Sequence, residues 1–267
     1  MTRTFRILWG VLVLLMASVS QAYHLTVYTT HEPPLNFTTA ADLNDASGSD
    51  VQGFAVDVVR EIMKRTDAHG SISIIPWTRS YQLLQTQPDV VLFSIARTPL
   101  REKLFQWVGP LSVSQSLLYL RQDAGVIVKT LDDARKLSGI SVMAQDSKAQ
   151  FLRSLGFSNL DQSFTWKDVY KKVHMGRTVA LADTDLDFPI LAREGGFAKD
   201  EVVPVYPLFT TQLYIGFSKS TSPDVVHRWQ TALDEIKKDG TFQQLTNKWA
   251  GYWKVHWVVK NGALQPE

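Results

Sequence analysis

The chain has 267 residues, with 28 Lys and Arg against 26 Asp and Glu, six His and no Cys. At about 100–200 residues per domain, that length allows one large domain or two modest ones, and 45% hydrophobic with 20% charged residues fits a globular chain. The missing cysteine excludes a disulfide framework, a thiolate metal site, a cysteine nucleophile and a lipid-modified cysteine anchor.

The chain opens on Arg3 and Arg6, an apolar run over 7–17, and then Ser20-Gln21-Ala22 with small residues at the two positions a signal peptidase reads. This is the layout of a secretory signal over 1–22, cleaved after Ala22. The apolar run is too short for a good membrane span, which needs about 20 residues. Removing the leader takes away two positive charges and brings the formal net charge from +2 to zero. A basic surface built for nucleic acid is therefore not expected.

The run 25–28 is apolar and β-branched and predicts a strand, which Pro33-Pro34 ends in a loop. The polar stretch 38–50 predicts an exposed loop. After Gly53, the four-residue spacing of Phe54, Val58 and Ile62 predicts one buried helix face. A strand over 72–75, a helix containing Tyr81 and Leu84, and a fully apolar strand over 90–93 follow. The alternation predicts an α/β unit with a mostly parallel sheet and right-handed crossovers.

A second, smaller α/β unit is predicted from a helix over 130–137, a strand over 140–143, helices over 148–155 and 169–175, and a strand over 178–182. The extended segments 114–121 and 202–218 read as two crossings between two lobes. Ser222-Pro223 opens a last long helix whose buried face is Val225, Trp229, Leu233 and Ile236, and a final short helix covers 242–249.

The order of these elements, together with Glu32-Pro-Pro-Leu-Asn-Phe37, Gly53-Phe-Ala-Val-Asp57, Thr98-Pro-Leu-Arg101, Gly176-Arg177 and the segment from Asp239 to Trp249, resembles the bacterial extracellular solute-binding proteins of family 3. The resemblance covers nearly all of 24–253. It implies the two-lobe, type II periplasmic binding protein fold with two hinge crossings. Lobe 1 is then formed by 23–116 and 208–267, and lobe 2 by 117–207. A small carboxylate-bearing ligand, an amino acid or an analogue, is expected in the cleft between them. An ABC permease in the inner membrane is the implied partner of a monomeric periplasmic protein.

Arg101 follows the apolar strand 90–93, where a loop at the carboxyl end of a parallel strand meets ligands in α/β sheets. Its guanidinium is a rigid fork that matches a carboxylate. The resemblance assigns it the ligand's α-carboxylate; the competing reading is a surface arginine paired with Glu102. By the same resemblance Ser94, Ala96 and Thr98 surround the ligand, Trp77 flanks it, with core packing as the competing reading, and Ser147 closes on it from lobe 2. Ser147 equally fits an ordinary helix start. Glu32 stands where relatives often carry an aromatic residue, a departure that favours a ligand with an amino group.

The acid that relatives place eight residues after the glycine of Gly-Arg is replaced here by Thr184. Asp183 or Asp185 takes the role if the count shifts by one, and Asp183 is the reading adopted. The six His show no metal-binding spacing, and no nucleophile elbow or phosphate loop occurs, so no cofactor is expected. An uncoupled sensor and a dehydratase-like enzyme remain alternatives to a transport component.

Overall fold

The structure is a computed structural model that describes residues 24–42, 45–198 and 200–267. The leader over 1–22 lies outside the described residues. The first half contains β1 (Thr26–Thr29), β2 (Phe37–Thr38), β3 (Ala46–Ser47), β4 (Val51–Gln52), α1 (Phe54–Arg65), β5 (Ile72–Ile74), α2 (Trp77–Thr86), β6 (Val90–Ala96) and β7 (Gln106–Arg121). Then come α3 (Leu131–Arg135), β8 (Ile140–Met143), α4 (Ser147–Ser154), β9 (Leu160–Ser163), α5 (Trp166–His174), β10 (Ala180–Thr184) and α6 (Phe188–Glu194). The chain finishes with β11 (Val202–Phe217), α7 (Pro223–Lys238), α8 (Thr241–Trp253), β12 (Trp257–Lys260) and β13 (Ala263–Pro266).

The strand order is β3-β5-β1-β6-β11-β7-β10-β8-β9. Parallel pairing holds within each end of the sheet, at β5-β1-β6 and β10-β8-β9. The centre departs from the expected parallel pattern. There β7 and β11, 16 residues each, run antiparallel along their length. One end of this ribbon pairs β11 with β6, and the other pairs β7 with β10. The ribbon therefore spans two α/β units and supplies both crossings. Three register shifts along it mark bulges, where an extra residue bends a strand.

Two bodies of apolar side chains flank the ribbon. In the first lobe, α1, α7 and α8 cover the β5-β1-β6 end, with Phe54 edge-on to Phe242 at 5.1 Å and Phe217 edge-on to Trp229 at 5.1 Å. In the second lobe, Leu118, Ile140, Val142, Leu152 and Ala182 form one cluster. Trp166, Val169, Tyr170 and Leu181 form another. The helix face predicted from Phe54, Val58 and Ile62 is buried, as is that of Val225, Trp229, Leu233 and Ile236.

Within 38–50, β3 joins the edge of the main sheet beside β5, and β2 and β4 pair with each other across the segment's two ends. Strand β9, helix α6 and the β12–β13 hairpin are not expected from the sequence, being short or too polar for clear periodicity. Ser222 precedes α7 as expected but makes no side-chain cap, and Pro189 and Pro223 sit in the first turns of α6 and α7.

Gly53 fixes the loop that carries Glu32. Its φ of +130° is one that side-chain-bearing residues rarely adopt, and a Cβ there would stand 2.2 Å from the Leu35 carbonyl oxygen. That carbonyl accepts from the Ala55 N–H at 3.0 Å, so loop and helix start share one contact. Gly53→Ala is expected to lower unfolding free energy by about 2 kcal/mol or more, read by chemical denaturation.

Candidate functional site

A cavity of about 310 Å³ opens between the lobes, within the range of small-molecule sites. Arg101, Ser94, Ala96, Trp77, Glu32 and Ser147 all line it. Six positions scattered from the first loop to the second lobe are thus brought to one wall system.

Arg101 is 1% exposed and sits on a turn after β6 in which the Thr98 carbonyl accepts from the Arg101 and Glu102 N–H groups, each at 2.9 Å. Its Nη1 donates to the Ala96 carbonyl at 3.2 Å, and its Nη2 donates across the cleft to the Gln145 carbonyl at 2.9 Å. The guanidinium carbon lies 5.3 Å from the Trp77 ring centre and 5.0 Å from that of Tyr81. Its Nε is buried without a partner. Burial pulls its pKa down, opposed by Tyr81 and Asp146. Glu102, the acid that a surface reading gave to Arg101, is instead held bidentately by Arg97 at 2.8 and 2.6 Å, outside the cavity.

Ser94 owes its position to a break in β6. Successive pairs with β11 run Ile95–Tyr214 and then Phe93–Ile215, so Ser94 is skipped, and its φ is +61°. Bulges of this kind re-aim a side chain next to a site. The Ser94 hydroxyl donates to Asn36 Oδ1 at 2.5 Å, and Asn36 Nδ2 donates to the Thr30 carbonyl at 2.6 Å. Gln145, whose carbonyl meets Arg101, also has positive φ, at +59°. Non-glycine residues held this way cluster at ligand clamps.

In the second lobe, Ser147 opens α4 at 3% exposure, and its hydroxyl has no partner. Asp146 caps the helix through the Lys148 N–H at 2.8 Å. Lys148 is 3% exposed, its ammonium 3.3 Å from Asp146 and 3.9 Å from Asp183, over the Trp166 ring at 5.0 Å. Burial works against that charge, but Asp146, Asp183, Glu32 and Asp187 outweigh it and hold the ammonium protonated.

Two of the expected site residues lie off the cavity wall. Thr98 does not reach the cavity; its carbonyl braces the Arg101 turn instead. Asp183 is fully buried behind the wall, accepting from the Tyr170 hydroxyl at 2.5 Å and the Thr184 N–H at 2.8 Å. Successive side chains along a strand face opposite sides, so it is Thr184 that reaches the cavity. Asp187 joins Thr184 there. One Asp187 oxygen accepts from the Thr184 hydroxyl at 2.6 Å, and its Oδ1 is buried with no partner. The Asp187 N–H donates to the Thr184 hydroxyl at 3.2 Å in the turn before α6, and a count of eight residues from Gly176 stops short of Asp187. Lys148, Trp166 and Glu194, also on the wall, were missed because nothing local marks them. Arg79 is exposed and Asp185 binds the Gln115 N–H on the ribbon at 2.9 Å.

The acidic side of the cavity is strongly perturbed. Burial pushes the Glu32 carboxyl up to about 8; Lys148 opposes this, while Asp146 and Asp183 add to it. Burial likewise raises Asp183 to about 6 and Asp187 well above the usual range. Among the described residues, no group of three or more His, Cys, Asp or Glu is placed to hold a metal ion. What the arrangement offers is a cationic fork at one end and carboxylates at the other, joined by aromatic walls.

The profile of the bacterial extracellular solute-binding proteins, family 3, matches residues 25–252, and the chain belongs to that family. Among curated relatives, the L-cystine-binding protein TcyA of Bacillus subtilis (strain 168) is 24% identical over 240 residues, covering 89% of this chain and 85% of the relative. Among solved structures, an ancestral arginine-binding protein bound to arginine superposes with a TM-score of 0.72 at 18% identity, covering 85% of this chain and 97% of the other. A histidine kinase sensor domain with similarity to periplasmic binding proteins reaches 0.75 at 16% identity, covering 86% and 97%. These likenesses establish the two-lobe α/β fold and a solute-binding role. Among the described residues, no helix is long and apolar enough to cross a membrane.

Glu32 and Asp183 bind protons more tightly folded than unfolded. The stability they contribute is full below about pH 4 and is lost as pH rises through about 6 for Asp183 and about 8 for Glu32. The melting temperature of the ligand-free protein is expected to fall across pH 5–8, and Glu32→Gln should flatten the upper part of that slope.

Proposed function

We propose that the mature chain is a periplasmic binding component that captures a small α-amino acid between its lobes and presents it to an ABC permease. The leader over 1–22 directs export and is removed after Ala22. Lobe 1 comprises 23–116 and 208–267, and lobe 2 comprises 117–207. The ligand carboxylate meets Arg101, whose Nε is free, and the Ser147 hydroxyl from the opposite lobe. The ligand ammonium meets Asp187, whose Oδ1 lacks a donor, beside Thr184. A ligand so placed gives the Arg101 Nε, the Ser147 hydroxyl and the Asp187 Oδ1 the partners they lack.

The observation that carries this reading is the Arg101 guanidinium, buried between the lobes and held by carbonyls and rings rather than by a carboxylate. A buried cation without a counter-ion is costly to keep, and a bound carboxylate supplies that counter-ion. The anion also gives both lobes something to share, so hinge closure follows occupancy. The named function of TcyA, L-cystine binding, supports an amino-acid ligand class.

The test is a thermal-shift screen of the protein against the common amino acids and small organic acids, followed by calorimetry on each hit. Arg101→Lys keeps the charge and loses the fork, and affinity should fall by about ten- to a hundredfold, equivalent to about 1.5–3 kcal/mol. Unchanged affinity in a folded Arg101→Lys protein would remove the carboxylate role.

A further inference from the structure

With an amino acid as the ligand, the reading on which this inference rests, the acidic end of the cavity holds more carboxylate than one α-ammonium balances. Lys148 is the cation that the protein itself places there, and Asp146 and Asp183 are both drawn up to it, at 3.3 and 3.9 Å. Arg101 lies at the other end, committed to the Ala96 and Gln145 carbonyls. Glu32 on the first lobe and Asp187 on the second are then left facing the same space.

Neither forms an ion pair within 4.0 Å among the described residues. Asp187 is 1% exposed, lines the cavity and keeps one oxygen unpartnered. Its partner Thr184 is neutral. After burial, the strongest influence on Asp187 is the charge of Glu32. The remaining groups facing Glu32 are Lys148, Asp146, Asp183 and the Trp166 indole from the second lobe. His31, beside Glu32 in its own loop and on the same cavity wall, is neutral, since burial lowers its pKa to about 4.

Closing the lobes therefore brings two carboxylates together in a desolvated space. Like charges so placed cannot both stay ionised unless a cation enters between them. An amino acid with a neutral side chain brings one cation and leaves the second carboxylate uncompensated.

We propose that the ligand is a cationic amino acid, with Asp187 receiving the α-ammonium and Glu32 receiving a second positive nitrogen on the ligand's side chain. Glu32 is on this account a specificity-determining residue, discriminating side-chain charge and not length. In the empty cavity protons occupy these carboxylates, and a dicationic ligand replaces them, so binding releases protons to solvent.

Matched ligands test the charge directly. Calorimetry at pH 7 compares L-arginine with L-citrulline and L-ornithine with L-glutamine, pairs of similar length that differ in charge. The cationic member of at least one pair is expected to bind tenfold or more tightly than its neutral match. Repeating that titration in two buffers of different ionisation heat should show net proton release. In Glu32→Gln the preference should collapse toward unity; a ratio unchanged in the folded variant overturns the role of Glu32. The wild-type ratio decides the charge class even if the variant does not fold. Equal or tighter binding of the neutral members, or binding of neutral or acidic amino acids alone, overturns the inference and leaves the amino-acid reading standing. Absence of binding by every α-amino acid tested overturns both.

Discussion

The site is organised around a buried guanidinium that lacks a carboxylate of its own. Arg101 is taken out of water, which is costly for any ion, and is repaid only in part by two carbonyls and two ring faces. The turn that holds it, the bulge that aims Ser94 beside it and the left-handed Gln145 that offers its carbonyl are all arranged about that one group. Arg97 completes the arrangement from outside by occupying Glu102, the nearest acid in sequence.

The opposite end of the cavity is built on the reverse imbalance. Lys148 is buried with two acids, and two further carboxylates approach from different lobes. The cavity thus has a guanidinium without a carboxylate at one end and carboxylates without an ion pair at the other. The antiparallel β7–β11 ribbon, with its bulges and its tie between Asp185 and Gln115, connects the two ends of the sheet.

Much of this was legible from local pattern. The apolar run 90–93 followed by a polar loop marked a strand end, and the rigid fork chemistry of arginine singled out Arg101, which the fold places on the cavity wall. Ser147 stands on the cavity wall, while the sequence alone left it equally readable as an ordinary helix start. Asp187 was not read, because assigning the acid depended on the facing phase of β10. A one-residue error along a strand turns a wall residue into a core residue, as it does for Asp183 against Thr184. Short elements such as β9 and α6 carry too few residues for periodicity to declare itself.

Taken alone, the order of apolar runs and breakers determined an α/β chain in two units joined by extended crossings, since hydrophobic periodicity is a property of neighbours in sequence. Which charged groups share the cavity was decided by tertiary structure. Glu32 and Asp187 belong to different lobes, and Lys148 reaches Asp183 from a helix that does not adjoin it in the chain. Their coupling depends on distance and on excluded water, which exist only once the two halves are packed together.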